Sequence, residues 1–400
     1  MRYLYSFLIQ FYGLLIFCAS FVNSKAKKWC DGRKNWLNSL KKNRNLQLKY
    51  IWIHCASAGE YEQAIPLIQQ IRKEQKEDYQ IAVSFFSPSG FESYQSSKEI
   101  DLLFYLPLDT PKNAIQLLEI LQPKFAFFIR YEIWWNILFE LKNKNIPTYL
   151  INSNPHQKRN FIYKKYLART LPFFTEVFHT NKVGSTKIER VLNIKDADNF
   201  SDSYLENFSK DSYVILLGSS WETEEKYVAA FYKKYISKIK NLKIIIAPHE
   251  YNSTKIQVLS SLFNCNIHCY SVEKNKPPFT TERIASILFL DQKGILKHVY
   301  KYADIALIGG GFKNGIHNCS EAMVYKIPVL FGPNYKQFED AIEYMSSKVA
   351  FSFQNYDEFE HILLDLYQQP INLHQLEALD FYFSKNKNTS QEILNTINLK

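Results

Sequence analysis

Ile51-Trp-Ile-His-Cys-Ala-Ser-Ala-Gly-Glu60 is the stretch whose reading decides the architecture. Tyr50 to His54 is a β-branched and aromatic run, the pattern of a buried strand. Ala56, Ser57, Ala58 and Gly59 are small, which lets a backbone turn tightly or a ligand come close. From Glu60 onward a 3.6-residue period takes over, with Ile65, Ile68 and Ile71 on one face. A strand, a small-residue turn and a helix opening on a carboxylate form the site geometry of an open α/β sheet. Glu60 is therefore expected at the carboxyl edge, where ligands bind. The plainer reading, a carboxylate that only complements the helix dipole, stays open at this point.

Outward from this stretch the same alternation recurs. Strands are expected at 80–85, 102–106, 125–129, 147–151 and 176–179, with helical patterns between them, the signature of parallel βαβ units. Asp196 to Ser212 is polar and rich in turn formers and reads as a linker. A second series follows at 213–217, 243–247, 287–290, 305–308 and 328–331. Two doubly wound halves fit a chain of 400 residues, too long for one ordinary core. Sites commonly lie in the cleft between such halves.

Apolar content of 46% excludes wholesale disorder, and a net charge of +10 points weakly to an anionic partner. The basic residues are spread along the chain with no nucleic-acid-binding motif, so no nucleic-acid partner is expected. Cys18, Cys30, Cys55, Cys265, Cys269 and Cys319 lack the spacing of a disulfide framework, which fits a reducing compartment. Cys265-Asn-Ile-His268-Cys269 has no second ligand pair nearby and reads as a packed strand, not a zinc site. Tyr3 to Val22 is uncharged and mostly apolar, and Lys25, Lys27, Lys28, Arg33 and Lys34 follow it. That run is just long enough to span a bilayer or can lie in its interface, and the basic flank should stay cytoplasmic.

The chain has 12 glycines, and five of them fall between Gly309 and Gly332. Gly309-Gly310-Gly311 directly follows a strand-like run, and Gly315-Ile-His317-Asn318-Cys-Ser320-Glu321 leads into a helix. A glycine-rich turn before a helix N-terminus is a ready phosphate site. Glu321 would point at a neighbouring sugar hydroxyl. Asn318 or Ser320 acting as a plain N-cap is the simpler alternative for either residue alone. No Gly-x-Gly-x-x-Gly follows the first strand and no P-loop is present, so dinucleotide and P-loop chemistry lack their usual handles.

Several motifs together resemble the Kdo (3-deoxy-D-manno-octulosonic acid) transferase family. They are His54-Cys-Ala-Ser-Ala-Gly-Glu60, Ser87-Pro-Ser-Gly90, Leu106-Pro-Leu-Asp-Thr-Pro111 and Glu132-Ile-Trp-Trp-Asn136. Gly218-Ser-Ser-Trp-Glu-Thr-Glu-Glu225, Ala247-Pro-His249, Gly315–Glu321 and Pro328-Val-Leu-Phe-Gly-Pro333 continue the series. Each is weak alone; their order and spacing are specific.

The resemblance implies an α/β GT-B fold, two Rossmann-like domains facing across a cleft, with an N-terminal membrane-associated helix. It implies an anchor over residues 1–24, an acceptor-binding domain over 25–205 and a CMP-sugar-binding domain over 206–400. The implied reaction is inverting transfer of Kdo from CMP-Kdo to the lipid A precursor, with no metal and no cofactor, on the cytoplasmic face of a bacterial inner membrane. By matching positions Glu60 is the general base and Glu132 a second catalytic carboxylate. Pro248, His249, Lys293, Gly294, Ile295, Gly310, Asn318, Cys319, Ser320 and Glu321 would contact CMP. The sequence departs from the family at Arg130, where an acidic residue is usual, and at Pro248-His249, where one arginine is missing. It departs again at Asn152-Ser-Asn-Pro-His156, with Lys158 and Arg159 close by, and around Asn199–Tyr204. The alternatives are a GT-B lipid glycosyltransferase using a UDP-sugar, and a decayed membrane protein on the same fold.

Overall fold

The computed structural model describes residues 1–75, 79–130, 132–154, 161–251, 254–275 and 286–397. They form two compact units, Met1–Arg190 with Lys385–Lys400, and Val191–Ser384. The change of unit thus falls at 190/191 instead of the expected 205/206, and the chain returns to the first unit for its last residues.

The first unit is built on β1 (Tyr50–Cys55), β2 (Gln80–Phe85), β3 (Leu102–Tyr105), β4 (Phe125–Ile129), β5 (Thr148–Ser153) and β6 (Glu176–His179). All neighbours pair in parallel in the order β3-β2-β1-β4-β5-β6. The order reverses between β1 and β4, the topological switch point of an open sheet. Strand alternation divides the core in two. Ile51, Ile53 and Cys55 pack with Ile65, Ile68 and Ile71 of the helix Ala58–Gln75 on one face. Tyr50 and Trp52 pack with Leu117, Leu118 and Leu138 on the other. Trp52 is fully buried, and its indole N–H donates to Ser84 Oγ at 2.9 Å. Left unpaired, that donor would cost about 1–3 kcal/mol.

The second unit carries β7 (Tyr213–Ser220), β8 (Leu242–Pro248), β9 (His268–Cys269), β10 (Ile287–Phe289), β11 (Ile305–Ile308), β12 (Val329–Phe331) and β13 (Ala350–Ser352). They run parallel in the order β13-β12-β11-β7-β8-β10-β9, with the switch point between β7 and β11. The Cys265–Cys269 run supplies edge strand β9, where His268 Nδ1 lies 2.9 Å from Glu273.

The expected linker is an ordered part of the second unit. Asp202 caps a helix, Ser203–Ser209, by accepting from Leu205 N–H, and Tyr204, Leu205 and Phe208 are buried. Asp198 is gripped by His298 (2.7 Å), Lys301 (3.1 Å) and the Tyr325 hydroxyl (3.0 Å). The Ser and Asp residues that read as turn formers act here as caps and ion-pair partners.

The N-terminal helix Arg2–Ala19 is amphipathic in the sense opposite to that of a soluble protein. Its docked face is largely polar or small. Arg2 reaches Asn136 Oδ1 (2.9 Å) and Glu140 (3.0 Å), the Tyr5 hydroxyl donates to Asp109 (2.7 Å), and Ser6 pairs with Asn136. A Cβ at Gly13 would lie 2.7 Å from Leu108, so glycine permits the close approach. Leu4, Phe7, Leu8, Phe11, Leu14 and Leu15 on the opposite side are at least 50% exposed. With a mean hydropathy of 1.3, it is the one helix among the described residues long and apolar enough to cross a membrane.

Candidate functional site

In the first unit a carboxylate follows each of the two strands at the switch point. Glu60 stands in the first turn of Ala58–Gln75, just past the end of β1, and accepts a hydrogen bond from Ser57 Oγ. Glu132 follows the end of β4, the strand paired with β1 through Ile51–His54 and Phe125–Phe128. Both reach the same thiol: burial first, then the charges of Glu60 and Glu132, push Cys55 up. Two turns are pressed together here, because Ser87 N–H donates to Ala56 O at 2.8 Å and a Cβ on Gly90 would lie 3.1 Å from Ala58 N. The backbone at Arg130, directly after β4, is left-handed (φ 65°), a conformation uncommon outside glycine and frequent at functional sites.

Glu132 is held by a buried chain of polar groups. Trp52 donates to Ser84 Oγ, Ser84 Oγ lies 2.8 Å from His54 Nδ1, and His54 Nε2 lies 3.2 Å from Glu132 Oε2. The Trp134 indole N–H also reaches that oxygen, at 3.0 Å. One assignment satisfies every member: Ser84 O–H donates to Nδ1, and Nε2–H donates to Glu132. His54 and Trp134, absent from the sequence-derived site, thus orient the second carboxylate. Their place in the quoted motifs was the available signal. Asn152 is likewise engaged, bonding Gln63 and Thr186 at 3.0 and 2.8 Å. Pro155, His156, Lys158 and Arg159 lie outside the described residues.

In the second unit the ends of β7, β8 and β11 bring together a stack of rings. His249 lies 4.6 Å from Trp221 and 4.5 Å from His317, centroid to centroid, both pairs stacked, and Lys313 Nζ sits 3.5 Å above Trp221. Burial, then neighbouring His249, pushes His317 down to about 4, so it is neutral near pH 7. Trp221, Lys313 and His317 were not among the expected contact residues. Trp221 directly follows β7 at the carboxyl edge, a position that marks it.

The expected CMP-binding residues divide. Pro248 ends β8 and His249 joins the stack. Asn318 Nδ2 donates to Glu321 Oε1 at 3.1 Å. Lys293, Gly294 and Ile295 form the turn after β10, at the same sheet edge; Gly294 is left-handed (φ 84°) with open space beside it. Cys319 and Ser320 are buried, with Ser320 Oγ donating to Asp340 at 2.7 Å and accepting from Tyr344 at 2.9 Å, so their side chains face the core. Gly310 N–H is already given to Glu224 Oε1 at 2.9 Å. The glycine cluster serves a backbone crossing: a Cβ on Gly309 would lie 2.1 Å from Ser219 O, and one on Gly311 2.5 Å from Gly332 N.

A family model described as 3-deoxy-D-manno-octulosonic-acid transferase (kdotransferase) matches residues 30–196. The 3-deoxy-D-manno-octulosonic acid transferase of Aquifex aeolicus is 25% identical over 79% of this chain and 85% of its own length. That of Chlamydia trachomatis serovar D is 25% identical over 91% of this chain and 90% of its own. A bifunctional glycosyltransferase/methyltransferase of Fusobacterium nucleatum is 26% identical over 88% of this chain, which spans 57% of that protein's length. Among solved structures, UDP-GlcNAc 2-epimerase from Neisseria meningitidis bound to UDP-GlcNAc covers 88% of this chain and all (100%) of its own, at 14% identity and a TM-score of 0.58. Acinetobacter baumannii MurG covers 88% and 100%, at 12% identity and a TM-score of 0.52. These two likenesses show the GT-B class of fold and nothing of the substrate. Similarity carried through most of the sequence, on that fold, identifies a glycosyltransferase related to the Kdo transferases.

Proposed function

We propose that this glycosyltransferase moves Kdo from CMP-Kdo to the lipid A precursor, inverting the anomeric centre in a single displacement. The observation that carries the reading is Glu60, fixed by Ser57 in a helix's first turn at the switch point of the first sheet. Glu60 takes the proton from the acceptor hydroxyl as its oxygen attacks the anomeric carbon, and the bond to CMP breaks with its electron pair leaving on the phosphate. The second unit supplies the donor side. The ring stack of Trp221, His249 and His317 and the turn 293–295 lie at one sheet edge, a setting suited to a nucleoside monophosphate. Glu132, oriented by His54 and Trp134, is the second carboxylate of the acceptor side. The Kdo transferase family is associated with the inner membrane, and the apolar outer face of the N-terminal helix supports the same location for this chain; Lys25, Lys27 and Lys28 after the helix support its cytoplasmic side.

The test is incubation of the membrane-bound protein with CMP-Kdo, generated in place, and a lipid A precursor, read by mass spectrometry of the lipid. Kdo-sized mass increments are expected, and Glu60→Gln should lower their rate at least ~100-fold while CMP still protects the protein thermally. A wild-type rate in Glu60→Gln would remove Glu60 from the role of base. Protection by UDP in place of CMP would replace the donor.

A further inference from the structure

The N-terminal helix forms one side of a cavity of about 500 Å³ whose lining also includes Glu132 and the helix Phe161–Thr170. That volume lies within the range of ~300–1,000 Å³ typical of ligand sites. Its walls are mostly carbon, from Ile9, Ile133, Ile162 and the ring of Tyr163. Three polar groups in the lining are already engaged internally. The Tyr5 hydroxyl donates to Asp109, the Tyr166 hydroxyl to Ile133 O, and the Trp134 N–H reaches Glu132. The Glu132 carboxylate, held by His54 and Trp134, stands at one end of this open and mostly apolar groove.

The surroundings of the mouth identify the occupant. Ile162 lines the cavity while 76% exposed, and Phe161 beside it is equally bare. On the facing side, Leu4, Phe7, Leu8 and Phe11 continue the apolar surface along the outward face of the N-terminal helix. A soluble partner seated in the cavity would leave that face in water; a lipid surface covers it and supplies alkyl chains. Exposed Lys164, Lys165 and Arg169 on the second helix suit the phosphates of an anionic lipid.

We propose that this cavity takes one acyl chain of the lipid acceptor, with the sugar end toward Glu132. The N-terminal helix is then a wall of the acceptor subsite as well as an anchor. The assignment rests on the lipid-acceptor reading given above.

The experiment uses the full chain in phosphatidylglycerol vesicles with a long-chain fatty-acyl glucosamine phosphate carrying a diazirine on its chain. After irradiation, adducts are mapped by peptide mass spectrometry. Adducts are expected at Ile9, Ile133 and Tyr163. Ile9→Trp, which fills the chamber, should cut them about tenfold, the order expected from displacing two methylene groups from an apolar site. Ile162→Asp, at an exposed lip where folding is not at stake, should cut them likewise and raise KM for the acylated acceptor. An unrelated membrane-spanning helix in place of residues 1–22 should keep the protein in the membrane and lose the adducts at Ile133 and Tyr163. Adducts confined to Phe7 and Phe11, or cavity adducts unmoved by both substitutions, would overturn the subsite. Cavity adducts without Kdo transfer would overturn the reaction and leave the subsite. Transfer with KM unmoved by Ile162→Asp would overturn the subsite and leave the reaction.

Discussion

Asp109→Asn should cost the protein more stability near pH 4 than near pH 7. Asp109 is fully buried, and accepts from the Tyr5 hydroxyl at 2.7 Å and from the N–H groups of Asn136 and Ile137 at 3.0 and 2.9 Å. It thus caps the helix Trp135–Asn143 and holds the N-terminal helix with the same carboxyl group. Burial raises that carboxyl from 3.8 to about 6, against the pull of its three donors and of Arg2. Between those values the folded protein keeps a proton that the unfolded chain releases. The group's contribution is therefore fully present below pH 3.8 and is lost as pH rises through about 6. At 1.36 kcal/mol per pH unit, the loss is ~3 kcal/mol. The Asn amide does not titrate. It carries instead a constant cost of roughly 1–3 kcal/mol, because its NH₂ faces a donor where an oxygen accepted one. The variant's deficit should therefore be largest near pH 4 and shrink by ~3 kcal/mol toward pH 7. Urea unfolding of both proteins in detergent micelles across that range measures it. A deficit that widens as pH rises would refute the reasoning, since it would mean that the fold prefers the ionised carboxylate.

His317, held near 4, should gain a proton when a CMP phosphate comes beside it, so CMP should bind more tightly as pH falls from about 7 to about 5. Calorimetry in two buffers of different ionisation heat reads the uptake, His317→Gln should abolish it, and no uptake in the wild type would move the phosphate elsewhere. Gly309→Ala puts a Cβ 2.1 Å from Ser219 O, a backbone atom with nowhere to go, and should cost about 3 kcal/mol or more along with thermal protection by CMP. Gly59→Ala, whose nearest neighbour is Ser57 Oγ at 3.7 Å, should leave the melting temperature unchanged or slightly higher. Equal losses in the two variants would show that the crossing at Gly309 is not the tight point.

The central parallel strands were legible because strands buried on both faces read as continuous apolar runs; β2, β4 and β11 match their expected limits residue for residue, as does the part-exposed edge strand β6. The edge strand β13, three residues long, carries too short a pattern to stand out, and of the run 265–269, read as a strand, only His268 and Cys269 form β9. The place of Glu60 at a carboxyl edge was legible from its strand, turn and helix pattern, whereas Glu132 entered only through the family resemblance; in the fold each follows a central strand. The direction of Ser320 was not legible, since its side chain is claimed by Asp340 and Tyr344, 20 and 24 residues onward. Nor was the fate of Gly310 N–H, given to a carboxylate 86 residues upstream. The stack of Trp221, His249 and His317 joins three strand ends, and nothing local in any of the three announces the others.

The return of the chain to its first unit bears on the order in which the protein can be made. The helix Thr389–Ile397 puts Ile393 and Leu394 into the same core as Ile68, and Ser390 bonds Glu189 at 2.6 Å. Ile68 belongs to the helix that carries Glu60. A chain leaving the ribosome from its N-terminus ordinarily completes its first domain first. Here residues 191–384 are all synthesised before Ile393 appears, so the later unit is finished while the earlier one still has an open seam beside the helix of Glu60.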